Sequence, residues 1–188
     1  MYDRVCVING WALFAHPCFI EQLKQIIVKV EQLQQKYPND YLKKNDAKRL
    51  AAIIKLVTEI IPSDPANIAF RLGYTLSGKR KHWFRAKFFQ QYRLFFRFHT
   101  ESKIIIFGWV NDERTKRAYG DQRDAYKVFG EMLNAGRPPD DWDFLLKESI
   151  VSPHLAGLLN ERQPSFPPKS IPADIRRERN LDVLEKPE

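Results

Sequence analysis

The chain has 188 residues, 44% of them hydrophobic, which suits one packed domain with an appendage. Its net charge of +8 points to a polyanionic partner and does not bear on the fold. Cys6 and Cys18 are too few for a disulfide framework, and no apolar run is long enough for a signal-peptide core or a membrane span, so a cytoplasmic protein is expected.

Val5 to Ala15 is rich in large apolar residues and reads as an extended entry segment, ended at His16-Pro17 because a residue before proline is driven out of the helical region. Phe19, Leu23, Ile26, Ile27, Val30 and Leu33 then recur at intervals of three and four, predicting an amphipathic helix to about Lys36. Tyr37-Pro38-Asn39-Asp40 breaks it. Leu50, Ile53, Ile54, Val57 and Ile60 predict a second helix from about Lys44 to Glu59, closed by Pro62 and Pro65. The short break predicts an antiparallel helical hairpin.

Between Pro65 and Thr100 there is no Asp or Glu, yet Arg71, Lys79, Arg80, Lys81, Arg85, Lys87, Arg93 and Arg97 all fall there. Trp83, Phe84, Phe88, Phe89, Tyr92, Phe95, Phe96 and Phe98 are interleaved with them. Clustered cations neutralise phosphates and flat rings stack on bases, so a nucleic acid is the expected partner, single-stranded RNA before duplex DNA.

Within this segment the period changes to two. Trp83–Phe89, Tyr92–His99 and Lys103–Trp109 read as a three-stranded antiparallel meander, the last strand covered on both faces. Arg85 and Lys87 share a face of the first strand, and Arg93 and Arg97 a face of the second. If the faces coincide, the four make one cationic patch on the open side of a half-buried sheet. The polar loop Asn111–Arg114 leads to a helix expected at Asp121–Ala135, with Ala125, Val128, Phe129, Met132 and Leu133 inward and Gly136 after its end. Asp140 or Asp141 is placed to cap a short helix through Leu146. From Ser149 prolines accumulate and aromatics thin out, reading as an irregular tail with one possible helix at Ile175–Leu184. The division is therefore a domain at 1–148 and a tail at 149–188, the class α+β.

His16, His82, His99 and His154 are scattered, so no metal site is expected, and no phosphate loop or nucleophile elbow points to a cofactor. A site of Arg, Lys, His and Tyr can still cleave RNA, because RNA carries its own nucleophile. The protein need only align the 2′-OH with the leaving oxygen, stabilise the added negative charge and assist proton transfer. The alternative on the same residues is a non-catalytic nucleic-acid-binding protein or transcriptional corepressor.

Asn9-Gly10-Trp11-Ala12-Leu13, Ala15-His16-Pro17-Cys18-Phe19, Tyr92-Arg93-Leu94-Phe95-Phe96-Arg97, Gly108-Trp109-Val110-Asn111-Asp112-Glu113, Tyr119-Gly120, Asp124-Ala125-Tyr126 and Val128-Phe129 occur in order and closely resemble the YhaV toxins of type II toxin–antitoxin systems, within the RelE/ParE-like superfamily. The resemblance runs from about Val7 to Leu146. It implies a RelE-like fold, two N-terminal helices on a small antiparallel sheet with a C-terminal helix. It implies a metal-independent mRNA interferase acting at the ribosome, neutralised by a PrlF-like antitoxin with which it would repress its own promoter DNA. By the same resemblance Arg85 and Lys87 lie where related toxins place two lysines near the scissile bond, Arg93 matches a phosphate-stabilising arginine, and Tyr119 a tyrosine that stacks on or activates substrate. A further arginine of the RelE-type site has Glu113 at its position, with Arg114 beside it as the expected catalytic arginine and Arg117 a turn further on. Lys79, Arg80, Lys81, Arg97 and Arg117 are expected to bind RNA.

Overall fold

A computed structural model describes residues 6–73, 76, 78–118 and 120–150. The expected irregular tail beyond residue 150, with its possible helix, lies outside them.

The N-terminal segment is a hairpin rather than a single extended entry. β1 (Cys6–Ile8) turns back into β2 (Trp11–Ala15) through Asn9 and Gly10, whose φ values are +51° and +79°. Asn-Gly is the pair that best tolerates two consecutive positive φ angles, which is why the reversal falls there. β3 (Phe84–Phe88), β4 (Tyr92–His99) and β5 (Ile104–Val110) form the expected antiparallel meander. The sheet is larger than that meander and mixed: its order is β1-β2-β5-β4-β3, and β2 runs parallel to β5.

His16 sits in the extended region at φ −72° and ψ 148° and caps α1 (Pro17–Lys36), its Nδ1 accepting the Cys18 N–H at 3.1 Å. Proline at the first helical position loses no hydrogen bond. α2 (Asn45–Lys55) does not stop before Pro62. It widens into a π-helical turn at Leu56–Ile60, where Thr58 Oγ1 donates back to the Ile54 carbonyl at 2.9 Å, and ends in the short α3 (Ile61–Ser63). The widened turn restarts the hydrogen-bond register so that Pro62, which has no N–H, falls in a first turn that needs none.

α4 (Ala125–Asn134) begins later than its apolar spacing predicts, because the Asp124 carboxylate accepts the Tyr126 N–H at 3.0 Å and fixes the cap there. Its end is as expected. Gly136, at φ +72°, donates to Leu133 and Arg137 N–H donates to Met132, the paired bonds of a Schellman motif. α5 (Trp142–Ile150) runs a turn past Leu146, its start capped by Asp141, which accepts the Phe144 N–H at 3.0 Å.

β4 alternates strictly between two cores. Tyr92, Leu94 and Phe96 join Leu23, Ile26, Leu50 and Ile53 of α1 and α2 in one cluster. Phe95 joins Trp83, Trp109, Phe129, Leu133 and Leu145 in the other, beneath α4 and α5. The face expected to be open is therefore closed by helices. Burying some three aromatic rings around Phe95 contributes several kcal/mol, about 1.5–3 for each large side chain. Gly108 is the extra residue where the β4–β5 register shifts after Phe95. A Cβ there would lie 2.6 Å from the Trp83 ring.

Candidate active site

The covering of the second face redraws the expected patch. Arg85 stands opposite Phe95 and Lys87 opposite Arg93, so these cations do share one face. They lie at the end of the sheet beside the β3–β4 turn, where α4 supplies a tyrosine. Arg85 Nε donates to the Tyr126 hydroxyl at 2.6 Å, and Arg93 Nε donates to the same oxygen at 3.1 Å. Arg117 adds a third guanidinium, 5.0 Å from the centroid of the Tyr126 ring, with Arg93 at 5.8 Å. Three cations therefore surround one buried phenol, an arrangement that like-charge repulsion disfavours and an anion would relieve.

Backbone geometry holds this cluster in place. Phe89 and Gln90, in the turn, have φ values of +45° and +60°, conformations costly for a side chain of either kind. Arg93 Nη1 donates to the Gln90 carbonyl at 2.6 Å and to that of Tyr92 at 2.7 Å, bracing the turn from below. Buried Asn111 accepts the Arg93 N–H at 2.6 Å and donates to the Gln91 carbonyl at 3.1 Å and the Thr115 carbonyl at 2.7 Å. The Arg117 N–H donates to Gln91 at 2.9 Å. Asp124, which caps α4, also accepts the Ala118 N–H at 2.9 Å and pairs with the Arg117 guanidinium. The turn, the 111–118 loop and the start of α4 are thus one hydrogen-bonded unit.

Arg97 is not part of it. It shares the face of Arg93, but its Nη1 donates to the Asp140 carbonyl at 2.7 Å and its guanidinium lies 5.7 Å from the Trp83 ring and 5.2 Å from that of Trp142. Arg80 is likewise a clamp, donating to the Gly130 carbonyl at 3.2 Å and Asn134 Oδ1 at 2.6 Å. Lys79 and Lys81 are exposed. Arg114, expected to be catalytic, has 79% of its side chain exposed and is paired to Asp112 at 3.1 Å, with no contact to Arg85, Arg93 or Tyr126 among the described residues. It borders a cavity of about 260 Å³ lined also by Cys18, Trp109 and Met132. Tyr119 lies outside the described residues.

Tyr126 is the residue that sequence reasoning passed over. It lies three residues before Phe129 and seven before Leu133, so the helical spacing that placed those two inward placed it inward as well. A second group also went unseen. The Tyr92 hydroxyl donates to Glu113, which pairs with Lys116 and lies 3.7 Å from Arg49. Burial opposes the Glu113 charge, but hydrogen bonds from Lys116 and Tyr92 outweigh it and hold the carboxyl below the usual range. Burial, reinforced by the Glu113 carboxylate, pushes the Tyr92 phenol up. Arg49 is 5% exposed, and its Nε and Nη1 have no hydrogen-bond partner among the described residues.

Among the described residues no group of three His, Cys, Asp or Glu is arranged to hold a metal ion. No helix among them is long and apolar enough to cross a membrane. Arginines converging on one point beside the β3–β4 turn are an arrangement whose chemistry suits a phosphodiester.

Residues 13–150 match the family described as a toxin with endonuclease activity, of a toxin–antitoxin system. The chain is 49% identical over 144 residues to the ribonuclease toxin YhaV of Escherichia coli K12, covering 76% of this chain and 94% of that one. It is 49% identical over 147 residues to the toxin YhaV of Escherichia coli O6:H1, covering 77% and 96%. No solved structure matches it significantly. The chain is thus a toxin nuclease, a member of the YhaV toxin family. As the toxin of such a system it has an antitoxin partner.

Proposed function

We propose that this chain is a metal-independent endoribonuclease that cuts mRNA by attack of the RNA 2′-OH on the adjacent phosphate. The observation that carries this is the convergence of Arg85 and Arg93 on the Tyr126 hydroxyl. Each arginine spends Nε and Nη1 on the protein, and the Nη2 of each has no hydrogen-bond partner among the described residues. Two such donors, held in fixed planes, are suited to the non-bridging oxygens of a phosphate whose charge grows as the 2′-oxygen adds. Lys87, opposite Arg93, puts a further cation on the same face of the sheet.

The name of the Escherichia coli relative supports RNA as the substrate. On this reading the domain spans residues 1–148 and is RelE-like. It works in the cytoplasm on ribosome-bound mRNA, is neutralised by a PrlF-like antitoxin and represses its own promoter DNA in that complex. Tyr119 joins the site, and Lys79, Lys81 and Arg114 contact RNA outside it.

The test is cleavage of a defined RNA by the purified chain in excess EDTA, with both new ends identified. A 2′,3′-cyclic phosphate and a 5′-hydroxyl are expected. Abolition by chelator overturns the mechanism, and binding without cleavage favours the corepressor reading.

A further inference from the structure

The Tyr126 hydroxyl has three hydrogen-bonding capacities: two lone pairs and one proton. Both lone pairs are taken, by Arg85 Nε from β3 and Arg93 Nε from β4. The proton cannot point at either guanidinium, since neither accepts a hydrogen bond. Among the described residues the hydroxyl has no acceptor for it. Tyr126 is only 6% exposed, and an O–H at such depth ordinarily has a partner.

The ring is as fixed as the oxygen. The Tyr126 N–H is held by Asp124, and the ring edge packs on Phe95 at a centroid distance of 5.7 Å. Arg117 lies over the ring, itself tied to Asp124. The phenol is therefore held beside the two guanidiniums, and its proton is left for an acceptor that reaches their unpartnered Nη2 groups. An acceptor entering there meets three donors at once, two cationic and one neutral.

Resting on the endoribonuclease reading, we infer that Tyr126 is a catalytic residue whose hydroxyl donates a hydrogen bond to a phosphate oxygen of the scissile linkage while its lone pairs hold Arg85 and Arg93 in the planes that grip the same group. The ligand class is a phosphodiester carrying an adjacent hydroxyl. No proton leaves the tyrosine in this role. The O–H stays intact and strengthens its bond as charge accumulates on the phosphorus oxygens.

The test compares full-length chains carrying Tyr126, Tyr126→Phe and fluorotyrosine at position 126 on one defined RNA. Tyr126→Phe keeps the ring and its stacking with Arg117, and is expected to lose about a hundredfold in kcat, as for a single lost oxyanion donor, with a small change in KM. Fluorotyrosine restores the donor, and because a phenolate has no proton to donate, the alkaline fall of its rate profile is expected to move to lower pH. A purely structural tyrosine would leave that profile in place. Tyr126→Phe cleaving within threefold of the unaltered chain, or an unmoved profile with fluorotyrosine, overturns the inference while Arg93→Ala remains inactive. Failure of the unaltered chain to cut RNA overturns the endoribonuclease reading, and this inference with it.

Discussion

The side chain of Asn111 accepts the backbone N–H of Arg93 at 2.6 Å, across the gap between β4 and the loop that follows β5. Asn111→Ala would strand two backbone groups, the Arg93 N–H and the Thr115 carbonyl, while the Gln91 carbonyl keeps the Arg117 N–H. Each unpaired buried group costs about 1–3 kcal/mol, so a loss of at least about 2 kcal/mol is expected in denaturant unfolding. Cleavage should fall as well, because the loop carrying Arg117 is released with the turn beneath Arg93.

Arg93→Ala is expected to abolish growth arrest on induction and to slow cleavage at least about a hundredfold, with the circular dichroism spectrum of the unaltered fold. Arg93→Lys should rescue little, since an ammonium cannot reach Tyr126 and the Gln90 carbonyl together as a guanidinium does. Full toxicity in Arg93→Ala would remove this residue from the site.

Lys79 is exposed, outside the arginine cluster, and predicted to touch phosphate without contributing to the reaction. Lys79→Ala should weaken binding to unrelated RNAs alike and reduce the slope of log K against log salt by roughly 0.7, the increment for one single-strand phosphate contact. An unchanged slope would make it plain surface charge.

His16 links stability to pH. Its buried Nδ1 accepts the Cys18 N–H, which leaves the proton on Nε2, donating to Glu148 at 2.7 Å. Burial lowers its pKa below the ordinary 6.5, and Glu148 offsets this only in part. Between the lowered folded value and 6.5 the unfolded chain binds more protons, so stability present above 6.5 declines as pH falls through that window. Protonation also removes the lone pair that caps α1. Thermal midpoints measured from pH 7.5 downward should show the decline, and His16→Asn, which keeps a capping acceptor, should flatten it.

Gly108→Ala should cost about 1–3 kcal/mol or more, because a Cβ would meet the Trp83 ring at 2.6 Å. That indole is fixed by its N–H bond to Asp140 at 2.7 Å and by edge contact with Phe129, so it has little room to yield. A smaller companion substitution, Gly108→Ala with Trp83→Phe, should recover part of the loss.

The elements with strong local periodicity were legible in the chain. The stripe from Phe19 to Leu33, the alternation in β3 and β4 and the cap pattern around Gly136 each carry their own signal. Asn9-Gly10 also signals a hairpin, yet its flanking strands are so short that the segment reads as one extended stretch. The parallel pairing of β2 with β5 has no local signature, since it joins segments about ninety residues apart. The covering of the basic face is hidden in the sequence for a physical reason. Arginines alternating with aromatics imitate a solvent-facing pattern, although Phe95 on the Arg93 side already required a cover. Of the site, Arg85, Lys87 and Arg93 were named from charge and strand period, whereas Tyr126 and Asn111 are polar residues whose roles depend on which elements meet.

The pairing of Ala12–Ala15 with Ile104–Phe107 also sets the order in which the molecule can exist. As the chain is synthesised, the N-terminal hairpin and the first two helices emerge long before the strand that must separate β2 from β4. Tyr126, the point where the arginines meet, emerges later still. A chain made only as far as β5 therefore lacks both Arg117 and the phenol on which Arg85 and Arg93 converge, and this cluster assembles only once α4 has emerged.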